Sequence, residues 1–489
     1  MTLLGFLTRK VFVDNVGVEY LGLNGLLQNI LGVVTLLEGG FGTSVVYNLY
    51  KPLAERNEEK IIALLQLYRK VYRFIALGVI TFALCLYPFI DFFIKDAENL
   101  SYVSIVYFIF LFNSVIQYFT AYKWSLINAD QKNYKLTTIN LVYQVGLNLT
   151  KLFILYYTKN YILYLVVEAL FGVGLNYAIV KKANQLYPFI QTKKKFKVED
   201  SVKKNIVTNV KALFFHSLGG YFMHSTSNIV ISSFVGIGVV GLYSNYTLLT
   251  GLVTTFSNQI LNSFSESVGN LVAVEKSDHS YEVFKTVFFL NFVIISSLSI
   301  LVFNVITPFI SWWLGEEYLL GITTLSLILL NFYINNMRNS IQTFKVKSGI
   351  FTQDRFSPLL QGVINLCLSL ILVKFWGIDG VLFAFGFSIL CIGFWQYPRL
   401  VYKYTFHRPL WNYFKWYITY TFCALIALGI SSFLISYILV ENKLLQSIVN
   451  GFVTVVAIGM VYMIAFIKHR PCISLLTYVR TVVDNVRKK

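Results

Sequence analysis

Apolar positions along this chain do not alternate at the short periods of a soluble fold. They run on in stretches of about twenty residues or more, the length a helix needs to cross a hydrocarbon core about 30 Å thick. Thirteen stretches predict full spans, near 22–48, 71–94, 101–127, 136–158, 160–181, 211–235, 239–273, 284–314, 319–345, 354–375, 378–402, 412–440 and 444–468. Met1 to Val13 is apolar but too short to cross, and reads as a short or truncated first helix. The predicted class is therefore all-α, a polytopic membrane protein with about 14 transmembrane helices. Apolar segments continue toward the C-terminal end, so no cleavable signal peptide ahead of a mature soluble domain is expected.

The connections sort by charge. With the N-terminus placed in the cytoplasm, loops and tail on that side hold 34 of the 41 Lys and Arg. The opposite loops hold only Lys95, Lys159, Lys374 and Lys443, while Arg9, Lys10 and Lys151 lie inside apolar segments. This is a positive-inside asymmetry, and it places both termini in the cytoplasm. Arg338 and Lys345 are counted with the cytoplasmic loop 338–355. The longest non-membrane stretch, 182–210, carries Lys193, Lys194, Lys195, Lys197, Lys203 and Lys204 and reads as a solvated linker with an amphipathic surface helix. It separates an N-terminal six-helix lobe, 1–181, from a C-terminal six-helix lobe, 211–402; residues 403–489 add two helices and a basic tail.

Composition agrees. Only 13% of residues are charged and 56% are apolar, against about a quarter charged in ordinary soluble proteins. A soluble enzyme, a disordered chain and a disulfide scaffold are excluded. The net charge of +18 faces anionic headgroups and implies no nucleic-acid partner. The five cysteines show no paired spacing, and four lie in apolar runs and read as small core residues.

The chain repeats internally. Val16-Gly17-Val18-Glu19-Tyr20-Leu21-Gly22-Leu23 matches Val235-Gly236-Ile237-Gly238-Val239-Val240-Gly241-Leu242, about 219 residues on. Gln144 and Asn148 have counterparts in Gln361 and Asn365. An even number of crossings separates the copies, so the two lobes are parallel repeats related by an axis along the membrane normal.

Ionisable groups at bilayer depth are costly and mark function by default. Candidates are Glu38, Glu168 and Glu266 among acids, Arg9, Lys10 and Lys151 among bases, and His216 and His224. Polar residues also recur on helical faces: Asn24, Gln28, Thr35 and Glu38; His216, Gly220, His224 and Asn228; Thr250, Thr254, Asn258, Asn262 and Glu266; Asn331, Asn335, Arg338, Asn339 and Gln342. One reading is glue between helices, the commoner use of any single Asn or Thr. The stripes together favour a wet central cavity. Arg9 and Lys10 are candidate anion contacts or snorkelling residues. Glu38 and Glu168 are candidate partners for such bases. The candidate substrate contacts are Arg9, Lys10, Asn24, Gln28, Glu38, Lys151, His216, His224, Asn258, Asn262, Glu266 and Arg338. No P-loop, nucleotide-sugar motif or zinc-protease helix occurs, and no outer loop is large, so no enzyme, cofactor or metal is expected.

Several runs resemble the bacterial polysaccharide flippase family of the multidrug/oligosaccharidyl-lipid/polysaccharide exporter superfamily. They are Gly5-Phe6-Leu7-Thr8-Arg9, Gly17 through Leu26, Leu37-Glu38-Gly39-Gly40-Phe41-Gly42, Tyr50-Lys51-Pro52-Leu53-Ala54, Val240 through Tyr246, Ser267 through Leu271 and Gln353-Asp354-Arg355-Phe356. The resemblance implies two six-helix lobes with alternating access in the cytoplasmic membrane. Its cargo would be an undecaprenyl-diphosphate-linked oligosaccharide, with a polysaccharide polymerase and assembly proteins as further partners. It gives Arg9 the place of a cavity-lining arginine. Ser217 and Ser227 stand where the family pattern carries a Lys and an Asp. The alternative on the same fold is a multidrug and toxin extrusion antiporter, whose cavity should carry strong acids for cations.

Overall fold

Inside a bilayer the backbone has no water to bond, so each span must close its hydrogen bonds internally. The computed structural model of the chain describes residues 2–32, 38, 41–95, 101–274, 277–350, 353–354, 356–438 and 440–475, and among them it forms helices and no strand. Eight of these helices are long and apolar enough to cross a membrane, or nine if the bent pair Val103–Phe119 and Ala121–Ala129 is one span. The protein is a multi-span membrane protein.

Several helices fall where the apolar runs predict them: Tyr134–Thr158, Tyr161–Leu186, Trp411–Ser436 and Lys443–Phe466. Start and stop signals are visible at four places in the chain. The side chains of Asn160 and Asn442 accept backbone N–H bonds at the first turns of their helices, the usual N-cap function. Gly377, at φ 54°, turns the chain inside Ser357–Ser388, between the predicted spans 354–375 and 378–402. Glu58 and Glu59 lie in the first turn of Glu58–Leu86, where carboxylates oppose the positive end of the helix dipole.

Two expectations change. The stretch 182–210 holds no separate surface helix: after Pro188–Gln191 the chain is irregular to 199, and residues 200–210 open the helix Asp200–His224. The cysteines are not core residues either. Cys85, Cys367 and Cys391 are exposed, and Cys423 and Cys472 half-buried, because an apolar run in a membrane protein has a lipid side on which a thiol is equally at home.

Packing divides the chain into two compact units, Met1–Gly241 and Leu242–Lys489. The division falls beyond the basic stretch 182–210. The helices Asp200–His224 and Thr226–Phe234 pack with the first unit: the Tyr221 hydroxyl donates to the Asn29 carbonyl at 2.9 Å, and Lys95 Nζ to that of Phe234 at 3.0 Å.

The repeated motif has a structural meaning in the first unit. Gly17 and Gly236 both hold positive φ, 104° and 149°, and each ends one helix just before the next begins. Five residues on, a Cβ on Gly22 would overlap the Ile237 carbonyl, and one on Gly241 would overlap the Val18 carbonyl. The two close approaches exchange under the repeat offset, so the backbones cross reciprocally at contact distance, which only glycine allows.

In the second unit the helix Ser277–Trp313 packs against Ile322–Met337, Trp411–Ser436 and Lys443–Phe466. Aromatic rings fill the seams: Phe292 stacks on Tyr420 at 4.6 Å and Phe288 on Tyr413 at 5.1 Å. Asn304 Nδ2 donates to Ser431 Oγ at 2.9 Å and Thr454 Oγ1 at 3.0 Å, which ties the last two helices to this unit.

Candidate functional site

The first unit gathers a cation–aromatic cluster from four helices. Lys151 is buried and its Nζ lies 2.7 Å from Glu168 Oε2 and 4.3 Å from the centre of the Tyr164 ring. Phe12 packs on Tyr164 and Tyr161, at 5.3 and 5.7 Å, from the helix that carries Arg9. The Tyr161 hydroxyl donates to Asn24 Oδ1 at 2.5 Å. Lys151 and Asn24 thus belong to one connected patch, and Glu168 is the partner for a base that the sequence suggested.

The other predicted residues of this unit lie apart. Lys10 is half-buried and pairs with Asp14 at 3.5 Å, one helical turn on. Gln28 is exposed. Glu38 meets no base in the described structure; it accepts a hydrogen bond from the Tyr72 hydroxyl at 3.2 Å.

The second unit holds a polar pocket of about 270 Å³, lined by Asn258, Leu261, Asn339, Gln342, Thr343, Val346 and Lys347. Asn339 Nδ2 donates to Asn258 Oδ1 at 2.9 Å. Among the described residues no carboxylate lines it. The helix break at Arg338, between Ile322–Met337 and Asn339–Lys347, turns these polar side chains to one side. Elsewhere on the same stripes the polar residues bind helix backbone. Asn331 donates to the Leu382 carbonyl at 2.8 Å, as interhelical glue, and Thr250 and Thr254 bond carbonyls of their own helix.

Arg338 lies deeper, only 8% exposed, with its Cζ 5.1 Å from the centre of the Tyr397 ring. Lys345 approaches the same ring at 4.3 Å and forms a buried ion pair with Asp354. Both bases belong to the stretch 338–355 counted with the cytoplasmic loops; in the structure their side chains are buried rather than solvated. His216, His224, Asn262 and Glu266 lie on described helical backbone, but their side chains lie outside the described set.

Sequence reasoning missed Tyr161, Tyr164, Tyr397 and Lys347. No signal marks one tyrosine among 33, and Lys347 looks like any loop lysine. The pair Lys345 and Asp354 could have been suspected only from an acid in a basic loop.

Solved structures supply the comparison. A lipid II flippase, MurJ, in an inward closed conformation superposes with a TM-score of 0.67 over 96% of this chain and 97% of its own, at 14% identity. The fold is that of the multidrug/oligosaccharidyl-lipid/polysaccharide exporter superfamily. An inward-facing multidrug resistance transporter of that superfamily gives 0.59 over 81% and 93%, at 13% identity. A multidrug transporter from Vibrio cholerae gives 0.55 over 84% and 94%, at 12%. At these identities the likeness is one of fold. No protein-family profile and no curated protein matches the sequence.

Proposed function

We propose that this chain is a flippase that carries an undecaprenyl-diphosphate-linked oligosaccharide unit across the bacterial cytoplasmic membrane by alternating access, for cell-surface polysaccharide synthesis. The lining of the second-unit pocket carries this reading. Asn258, Asn339, Gln342 and Thr343 offer paired donors and acceptors, as sugar hydroxyls require. Lys347 offers a point charge for phosphate. A pocket for a cationic drug would need an acid, and none lines it among the described residues. In the first unit Arg9, on the helix whose Phe12 packs on Tyr164, gives a second basic locus for the diphosphate. The prenyl tail stays in lipid. The charge asymmetry of the loops supports cytoplasmic termini, and a polysaccharide polymerase would receive the flipped unit.

The test is the fate of lipid-linked sugars in cells deleted for this gene and complemented with wild type, Arg9→Ala or Lys347→Ala. The expected result is accumulation of the sugar-complete lipid intermediate and loss of surface polymer, restored by wild type and poorly by either variant at equal protein level. Unchanged lipid intermediates together with increased sensitivity to a cationic drug would replace this reading with the antiporter.

A further inference from the structure

In the first unit the helices Val103–Ile116 and Tyr161–Leu186 leave an open groove of about 410 Å³ between them, a size at which small-molecule sites occur, about 300–1,000 Å³. Ile105, Phe108 and Phe112 line one wall, and Val166, Leu170 and Val173 the other. Each set recurs at helical spacing and so forms one face of its helix. Ala169 is the buried floor, and Phe108, Phe112 and Leu170 stand exposed at the rim. The opposite face of the second helix carries Tyr161, Tyr164 and Glu168, so the groove is separate from the cluster at Lys151. Among the described residues no polar side chain lines it, so water there would find no partners. Eight residues line it in all, too few for a second copy of the chain, since a stable interface takes about 20–30 residues a side. The occupant that fits is a single hydrocarbon chain.

The same seam turns polar at one end. Beyond the groove Thr120 donates to Asn176, and past the bend Lys123 Nζ donates to Asn184 Oδ1 at 2.8 Å. Glu58–Leu86 packs against Ala121–Ala129. It brings Arg69 within electrostatic reach of Lys123, and Arg69 and Arg73 within reach of Tyr122. Asp130, the acid next along the chain, is taken by Lys132 and Tyr187. An apolar groove that leads to bases fits an amphiphile with an anionic head.

Length selects the amphiphile. Val173 and Val166 stand on the same helix as Asn184, about 16 and about 27 Å from it at 1.5 Å per residue. An ordinary acyl chain fills its own half of the hydrocarbon core, about 15 Å. A chain whose head is held at Lys123 must be longer than that to lie in the groove.

We propose that the groove holds the prenyl chain of a lipid diphosphate whose head rests at Lys123, Arg69 and Arg73. This rests on the reading of the chain as a flippase for such a lipid, and adds a place where the lipid is held on the surface of the first unit. The tail stays on the lipid side. Inside a bilayer no hydrophobic effect draws it from its surroundings, so the groove retains it by close packing.

The experiment uses full-length protein in phosphatidylcholine nanodiscs. The probe is undecaprenyl diphosphate without sugar, carrying a diazirine midway along its prenyl chain. Light attaches the probe where the chain lies, and peptide mass spectrometry reads the position. The expected result is saturable labelling of Val103–Ile116 and Tyr161–Leu186, removed by excess unlabelled undecaprenyl diphosphate and not by phosphatidylglycerol. Val173→Trp, at the exposed rim, should raise the half-saturating probe concentration about fivefold, the loss of about ten close atom contacts. Lys123→Met should raise it about tenfold, the loss of one hydrogen bond to a charged group. Should Val173→Trp not fold, Leu170→Trp narrows the same groove from a more exposed position. Removal of the label by phosphatidylglycerol would assign the groove to a phospholipid chain and overturn the proposal, as would unchanged labelling in the tryptophan variants. Saturable labelling confined to other segments would overturn the groove and leave the flippase reading standing. No saturable labelling anywhere would overturn both.

Discussion

In the first unit Lys151 meets Glu168 from the neighbouring helix at 2.7 Å. In the second, Arg338 faces rings and hydroxyls without a carboxylate, although a buried acid, Asp354, stands near and is taken by Lys345. The repeat gives the two halves of the sequence similar segments, yet Gln144 is exposed in one while its counterpart Gln361 is buried beside Arg338 in the other. The buried lysine of the first unit has its own carboxylate. Among the described residues the second unit keeps one buried base, Arg338, without a carboxylate. A protein that merely needed helix cohesion would gain nothing from that, because an apolar residue packs there at lower cost.

The contrast can be broken most forcefully at Asp354. Asp354→Asn strands Lys345 as a second unpaired buried base and should cost about 3–5 kcal/mol of stability, read as a large drop in thermal midpoint. Glu168→Gln does the same to Lys151, but Glu168 is 39% exposed, so solvent screens the stranded charge and the loss should be smaller. The double change Lys151→Met with Glu168→Leu should recover most of it. If Glu168→Gln proves the more damaging single variant, the two pairs have been ranked wrongly.

The shared part of the repeat offers the next test. Gly22→Ala and Gly241→Ala each push a methyl into a backbone carbonyl, an overpacking change worth about 1–3 kcal/mol. Because the approaches are reciprocal, the two losses should be alike. A loss at one position only would show that the crossing is not symmetric.

The smallest effect concerns pH. His469, beyond the last helix, sits among Phe289, Trp416, Tyr420 and Phe466. Burial and then the nearby Lys285 hold its imidazole below the usual range. The unfolded chain therefore takes up the proton first, so this contribution is present above about pH 6.5 and fades as pH falls below it. The thermal midpoint should drop slightly between pH 7.5 and 5.5 in wild type, and less in His469→Phe. An equal drop in both would assign the effect to other groups.

Much of this was legible in the sequence. Apolar run length located several of the spans, among them Tyr134–Thr158, Tyr161–Leu186, Trp411–Ser436 and Lys443–Phe466, because backbone hydrogen bonding leaves a membrane segment little choice. Lys151 and Glu168 stood out because ionisable groups are rare at that depth. Arg338 was visible as a polar residue but not as an enclosed one. Counting charges by loop treats every base near a helix end as solvated, and Lys345 escaped for the same reason. The aromatic partners were hidden by abundance. The glycines were recognisable as a repeat, while their contact with each other's carbonyls depends on three-dimensional crossing, which no one-dimensional pattern contains.

That crossing has a consequence for how the chain could evolve. If the halves arose by duplication, most paired positions were free to drift, as Gln144 and Gln361 illustrate. Gly22 and Gly241 were not, since each lies over the backbone of the other copy. Selection on one joint would hold two distant codons at once, and the ancestry of the molecule would stay readable longest at that point.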